Sequence, residues 1–244
     1  MRLKIELSPT QNQIYNTIDK HSIQGFIYSN LLNTEFKDIH NKPTFKFFTF
    51  SDIFPPRDFK VGNKYNLIIS SPNEDFISVL YENISNYNTI NLRGSIFTIE
   101  NLKKFDLRDS NRFITGSPIV LYENKEKNEY FKFYDKGGFL QFFERLRDNA
   151  VKKYEVYYNE GAPKIDFIFD DVVPRIRNDK FDVHVKLTKK NNDFFIIGSL
   201  WRELHKKRIK KDEKKFYKFI MDCGLGEKNS LGFGFINPLR RTHK

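Results

Sequence analysis

Five histidines, one cysteine and a glycine-rich stretch are the places where this chain has the means for chemistry. The histidines are His21, His40, His184, His205 and His243. No two of them stand at metal-ligand spacing, so no metal site and no cofactor are expected. His184 falls on the polar side of an alternating segment with Asp182 and Lys186, and His205 lies inside a basic run. His40 has a different setting, the stretch FKDIHNKPTFKFFTFS, where Lys42 and Lys46 are close in sequence. An imidazole exchanges a proton near neutrality, and amines beside it suit a phosphodiester substrate. An exposed loop histidine is the plainer alternative. The single cysteine, Cys223, follows Ile220 and Met221 in an apolar helix end and reads as a buried, inert thiol.

The segment GLGEKNSLGFGF, 224–235, holds four of the chain's 12 glycines: Gly224, Gly226, Gly232 and Gly234. Gly224 suits a left-handed helix cap. Gly226 and the pair Lys228-Asn229 then make a turn rich in backbone N–H groups, which is how an anion nest for phosphate is built. Lys228 adds charge, and Asn229 and Ser230 add hydrogen-bonding groups. The segment is not a nucleotide-binding P-loop, whose lysine follows a glycine at fixed spacing ahead of a helix. Two readings stay open: contact with phosphate, or a bulged strand crossing its own backbone closely.

Charge points the same way. There are 42 Lys and Arg against 31 Asp and Glu, a formal net charge of +11, so polyanions are natural partners. Residues 202–215, RELHKKRIKKDEKK, concentrate eight Lys and Arg, among them Arg202, Lys206 and Lys207. No apolar run reaches membrane-spanning length, and the N-terminus alternates as a strand does. These features point to the cytoplasm, with no membrane partner.

The elements that must position these groups come in a recurring order. A strand at 2–7 puts Leu3, Ile5 and Leu7 on one face. A helix within 10–33 carries an apolar stripe of Ile23, Phe26, Ile27 and Leu31, with Tyr28 off that stripe. An aromatic extended segment at 44–51 and a strand at 64–70 precede a helix capped near Asn73, with Phe76, Val79, Leu80 and Ile84 facing inward. A strand at 95–105 completes β-α-β-β-α-β. The second half repeats the pattern. It has a strand at 117–123, which 129–135 extends or pairs with, then a helix after Gly137-Gly138 with Phe139, Leu140, Phe143 and Leu146 on its stripe. An alternating strand at 163–170 follows, then a strand at 181–187 joined through the turn KKNN (189–192) to FFIIGSL. A helix at 212–223 leads to a closing strand in SLGFGFI. The fold class is therefore α+β, two tandem ferredoxin-like (βαββαβ) domains, 1–113 and 114–244.

On these residues the chain resembles the CRISPR-associated repeat RNA endoribonucleases, the Cas-six family of the RAMP superfamily. The ending CGLGEKNSLGFGFI is similar to that family's glycine-rich loop, and QGFIYSNL (24–31), the histidine loop, KFFTFS (46–51) and SPI (117–119) extend the likeness over nearly the whole chain. The resemblance implies metal-independent cleavage of CRISPR repeat RNA in the precursor transcript, leaving 2′,3′-cyclic phosphate and 5′-hydroxyl ends. Its Tyr, His and Lys fall on Tyr28, His40 and Lys46 in the first domain. It implies Tyr28 as base and His40 as acid, with Lys46 stabilising charge. A phenol with a pKa near 10 is a poor base at neutral pH, so His40 as base stays open. The RNA-binding set expected is Gly224, Gly226, Lys228, Asn229, Ser230, Gly232, Gly234, Arg202, Lys206 and Lys207. The expected partner is CRISPR repeat RNA, single-stranded or weakly structured, with an effector complex and a homodimer as further openings. A non-catalytic repeat-RNA-binding subunit of an effector complex is the alternative function.

Overall fold

A computed structural model describes residues 1–41, 43–133, 138–176, 178–189 and 192–239. Lys42, Gly137, positions 190–191 of the KKNN turn and His243 lie outside them. The chain divides into two compact units: Met1–Leu107 with Ser230–Gly232, and Arg108–Asn229 with Phe233–Lys244. The division thus falls near 107, against the expected 113, because residues 112–115 pair within the second unit's sheet.

In the first unit, strand β1 (Arg2–Pro9) buries Leu3, Ile5 and Leu7 completely, as its alternation requires. Helix α1 spans Lys20–Ser29. It lies within the expected region 10–33, and the chain before it is held elsewhere. Gln13 exchanges backbone bonds with Phe59, the Tyr15 N–H donates to Asp58, and Asp19 caps the helix at Ser22. Strand β2 is only Thr49–Phe50. Phe47, at φ +50°, breaks the extended run expected over 44–51. Strand β3 (Tyr65–Ser70) and helix α2 (Glu74–Ser85) follow, α2 capped by the Asn73 side chain and burying Phe76, Ile77, Leu80 and Ile84. Strand β4 (Thr89–Leu92) was not expected. It forms a hairpin with β5 (Ser95–Phe105) through Arg93-Gly94, both at positive φ, the geometry that a two-residue hairpin turn favours. The sheet order is β2-β3-β1-β5-β4. With β4 set aside, this is the ferredoxin-like order, in which the first and third strands are central.

The second unit has strand β6 (Arg112–Thr115), a small hairpin of β7 (Tyr122–Asn124) and β8 (Glu129–Tyr130), and the long helix α3 (Phe139–Tyr158). Strand β9 (Asp171–Pro174) and the hairpin β10 (Asp182–Lys189) and β11 (Asn192–Ser199) come next. Strand β12 (Trp201–His205), helix α4 (Lys214–Cys223) and strand β13 (Ile236–Pro238) complete it. The four-stranded order is β13-β6-β12-β9, again ferredoxin-like, and β10 and β11 form a separate two-stranded sheet with Ser199 of β11 bridged to Ile119. The fold class holds for both units, but several strand positions do not. The opening strand is 112–115 and not 117–123. The carbonyls of Pro118 and Val120 instead accept the N–H groups of Gly234 and Glu227 in the glycine-rich segment. Residues 163–170 form no ladder, and the sheet strand starts at Asp171. The helix stripe is Phe142, Leu146, Ala150 and Tyr154, while Phe139 and Leu140 are exposed. Among the described residues no helix is long and apolar enough to cross a membrane.

Candidate active site

The last turn of α1 carries Tyr28. Its ring is half-buried and meets His40 edge-on, centroids 4.9 Å apart, and Phe48 edge-on at 5.9 Å. After α1 the chain runs to Asn41 through successive backbone turns, Leu31 N–H to Tyr28 O (3.0 Å), Thr34 to Leu31, Lys37 to Thr34 and Ile39 to Phe36. Phe36 and Ile39 pack on the core and so anchor this segment. His40 itself is exposed, with Nδ1 3.0 Å from Asn41 Oδ1. An amide oxygen only accepts, so Nδ1 donates there and Nε2 is the ring's acceptor. Lys46 Nζ donates to the His40 carbonyl at 3.1 Å. Phe47 separates Lys46 from the fully buried Phe48 in a left-handed conformation that costs a non-glycine residue about 1–3 kcal/mol, and the Ser71 hydroxyl holds its carbonyl at 2.8 Å. Tyr28, His40 and Lys46 are thus brought together: a phenol, an imidazole and an ammonium in one patch. Burial pushes the Tyr28 phenol above its ordinary value, opposed by the nearby Ser230 side chain.

The tip of the glycine-rich segment, Ser230–Gly232, belongs to the same unit as α1. Lys20 Nζ donates to Gly232 O at 2.8 Å and pairs with Asp52, while Gln24 Nε2 donates to Ser230 O at 2.9 Å. Gly232 sits at φ +77°, and a Cβ there would lie 2.2 Å from a Phe50 ring carbon. Lys20, Gln24 and Asp52 were missed in the sequence. The available signal was the recurrence of Lys20, Gln24 and Tyr28 every fourth residue, one face of a helix.

The remainder of the segment lies in the second unit. Gly224 ends α4 at φ 84° and ψ 162°, a positive-φ conformation open to glycine but outside the left-handed helical region. A Cβ on Gly226 would lie 2.3 Å from Val120 O, and one on Gly234 1.8 Å from Leu225 O. All four glycines are buried, and at Gly226 and Gly234 the backbone brought close is the chain's own. Lys153, buried on α3, donates to Gly224 O, Gly226 O and Asn229 Oδ1 at 2.7, 3.0 and 2.9 Å. Asn229 Nδ2 donates to Leu225 O and Phe233 O. Lys228, at φ +57°, lies over the stacked rings of Tyr122 and Tyr130, 5.2 and 5.7 Å from their centroids. The half-buried stretch is Glu227 to Leu231.

In the basic run, Arg202 is exposed on β12. Lys206 Nζ bonds Phe167 O and Asp170, and Lys207 pairs with Asp171, so part of this charge is already answered. His205 approaches Asp171 at 3.4 Å, a partner the sequence did not suggest. His184 is exposed on β10, its ring 6.4 Å from that of Phe195. The Cys223 thiol is buried, and burial pushes it up to about 11. Among the described residues no three His, Cys, Asp or Glu side chains gather as a metal-ligand set.

Residues 100–238 match the family described as CRISPR associated protein Cas6, C-terminal. Over 241 residues the chain is 57% identical to CRISPR-associated endoribonuclease Cas6 2 of Methanocaldococcus jannaschii, covering 98% of this chain and all of that protein. It is 27% identical to CRISPR-associated endoribonuclease Cas6 1 of the same organism, over 97% of this chain and 92% of that one. A solved structure, CRISPR associated protein Cas6, superposes with a TM-score of 0.70 at 25% identity, covering 98% of this chain and 99% of its own. With the identity sustained end to end over two ferredoxin-like units, the chain belongs to the Cas6 family of CRISPR-associated endoribonucleases.

Proposed function

We propose that this chain cleaves the repeat RNA of CRISPR precursor transcripts by attack of the ribose 2′-hydroxyl on the adjacent phosphate, leaving 2′,3′-cyclic phosphate and 5′-hydroxyl ends without a metal ion. The observation that carries the reading is the meeting of Tyr28, His40 and Lys46 in one patch. RNA brings its own nucleophile, so the protein has to supply a proton acceptor, a proton donor and a cation for the phosphorane. A phenol raised by burial keeps its proton near neutrality. This favours His40, through Nε2, as the group that takes the 2′-hydroxyl proton. Tyr28 then stands protonated toward the departing 5′-oxygen, the reverse of the roles that the family resemblance implies. Lys46 offsets the charge that builds on the phosphate. The exposed Arg202 and the half-buried Lys228 contribute to holding the repeat, in keeping with a net charge of +11.

The rival reading is a subunit that binds the repeat without cutting it, and it gives no part to the Tyr28–His40–Lys46 patch. The test uses single-turnover cleavage and filter binding on the same repeat RNA. Cleavage is expected to proceed in EDTA, to stop with a 2′-deoxy nucleotide at the scissile position, and to slow about 10²- to 10⁴-fold in His40→Ala at near-parental affinity. Activity lost in EDTA and restored by Mg²⁺ refutes the chemistry. His40→Ala at the parental rate refutes the site.

A further inference from the structure

Helix α1 and the segment 46–52 lie side by side and are joined at both ends. Tyr28, in the last turn of α1, meets Phe48 edge-on, and Lys20, its first residue, pairs with Asp52. Lys20 and Tyr28 stand about 12 Å apart along the helix. The loop tip 230–232 enters between these two contacts. Gly232 O accepts from Lys20 Nζ at 2.8 Å, Ser230 O accepts from Gln24 Nε2 at 2.9 Å, and Gly232 packs on the Phe50 ring with no room for a side chain. The Lys20 ammonium lies 5.9 Å from the centroid of that same ring. One buried cation on the helix that carries Tyr28 therefore meets both the tip and the segment that carries Lys46. An apolar side chain in its place would serve the core at least as well, because taking an ammonium out of water is costly. What the ammonium adds is direction: its bonds fix where Asp52 and Gly232 stand against the helix. Phe48 and Phe50 are fully buried, so a displacement at Asp52 passes along the packed segment toward Lys46.

We propose that Lys20 is a positioning residue for the cleavage reaction: by bridging Asp52 and Gly232 O it holds α1, the segment 46–52 and the loop tip as one frame, and so sets the spacing between Tyr28 and Lys46 at the scissile phosphate. Gln24 holds the other end of the tip in the same frame. This inference rests on the reading of Tyr28, His40 and Lys46 as the active site. It gives Ser230 and Gly232 a part distinct from contact with RNA, which was the expectation from their place in the glycine-rich segment.

The experiment compares the parent, Lys20→Met, Gln24→Met, Lys46→Ala and the Lys20→Met, Lys46→Ala double variant. Each is measured by thermal melting and, on the same repeat RNA, by single-turnover cleavage at saturating protein and by filter binding. Lys20→Met keeps most of the stem and removes the donors. It is expected to cleave about 10- to 100-fold more slowly at near-parental affinity, the scale of a misplacement of about 1 Å. In the Lys46→Ala background most of that slowing should vanish, because it acts through the spacing to Lys46. Gln24→Met leaves the Lys20–Asp52 pair intact, so it should melt with the parent and still cleave about fivefold more slowly, one hydrogen bond's worth of rate. It carries the test if Lys20→Met does not fold. A folded Lys20→Met or Gln24→Met that cleaves at the parental rate overturns the inference. So does equal slowing by Lys20→Met with and without Lys46, or a loss of affinity in place of rate. Those results beside a slow Lys46→Ala remove this inference alone. Lys46→Ala at the parental rate removes Lys46 from the active site, and this inference with it.

Discussion

Replacing Lys153 with methionine tests what holds the glycine-rich segment in shape. The lysine is 2% exposed, and its ammonium meets three acceptors: Gly224 O at 2.7 Å, Gly226 O at 3.0 Å and Asn229 Oδ1 at 2.9 Å. Burial pushes the ammonium below the ordinary lysine range, while three acceptors need the three N–H donors that only the charged form has. Methionine keeps most of the stem's volume and removes every donor. Asn229 retains its Nδ2 bonds to Leu225 O and Phe233 O, so its amide stays anchored. The two glycine carbonyls are left in a buried setting at about 1–3 kcal/mol each, and removing an ammonium from the interior gives part of that back. The net loss expected is about 3 kcal/mol, a fall of roughly 6–12 °C in the unfolding midpoint of the second unit. Thermal melts followed by circular dichroism measure it. Hydrogen exchange localises it: the N–H of Leu225, bonded to Gly234 O at 2.9 Å, and that of Glu227, bonded to Val120 O at 2.7 Å, should lose protection before the sheet does. A midpoint within about 2 °C of the parent, with both amides still protected, refutes the argument that the ammonium organises this loop.

Two further outcomes follow from the same geometry. Gly234→Ala places a Cβ 1.8 Å from Leu225 O at φ +69°, so overpacking and backbone strain together should cost roughly 3 kcal/mol or more, and a variant that melts with the parent contradicts the close crossing. Arg112 bonds Glu203 at 2.6 Å and holds its carboxyl below the usual carboxylate range. A depressed carboxyl contributes stability above its unfolded value and loses it as pH falls through the folded one. Arg112→Gln should therefore melt below the parent at pH 7, with the gap closing as the solution is acidified past the ordinary carboxylate range. A gap of constant size between pH 7 and pH 3 rules that linkage out.

Much of the molecule was legible in the chain alone. The alternation of Leu3, Ile5 and Leu7 and the Asn73 cap carried through to β1 and α2, because both signals are local: a pleat and a helix end are decided by residues next to one another. The β-α-β-β-α-β order, and with it the ferredoxin-like class, followed from such signals. The tyrosine, histidine and lysine at 28, 40 and 46 came instead from the likeness of QGFIYSNL, the histidine loop and KFFTFS to the Cas-six family.

Periodicity reports which side chains go inward, but it does not say which neighbour accepts the backbone bonds. Residues 163–170 show this. Ile165 and Phe169 are buried and Phe167 is 61% exposed, the alternation expected of a strand, yet no ladder forms there. Residues 117–123 were read as a strand for their apolar content, and Pro118 and Val120 within them instead give their carbonyls to the glycine-rich segment. The four glycines announced a close approach without naming the partner. Tertiary structure decided that the partner is the chain itself: Phe50, Val120 O and Leu225 O occupy the places where side chains would stand. It also decided that residues 230–232 join α1, more than 200 positions away in sequence, through Lys20 and Gln24. Contacts at that separation depend on how the whole chain closes, and no local pattern records them.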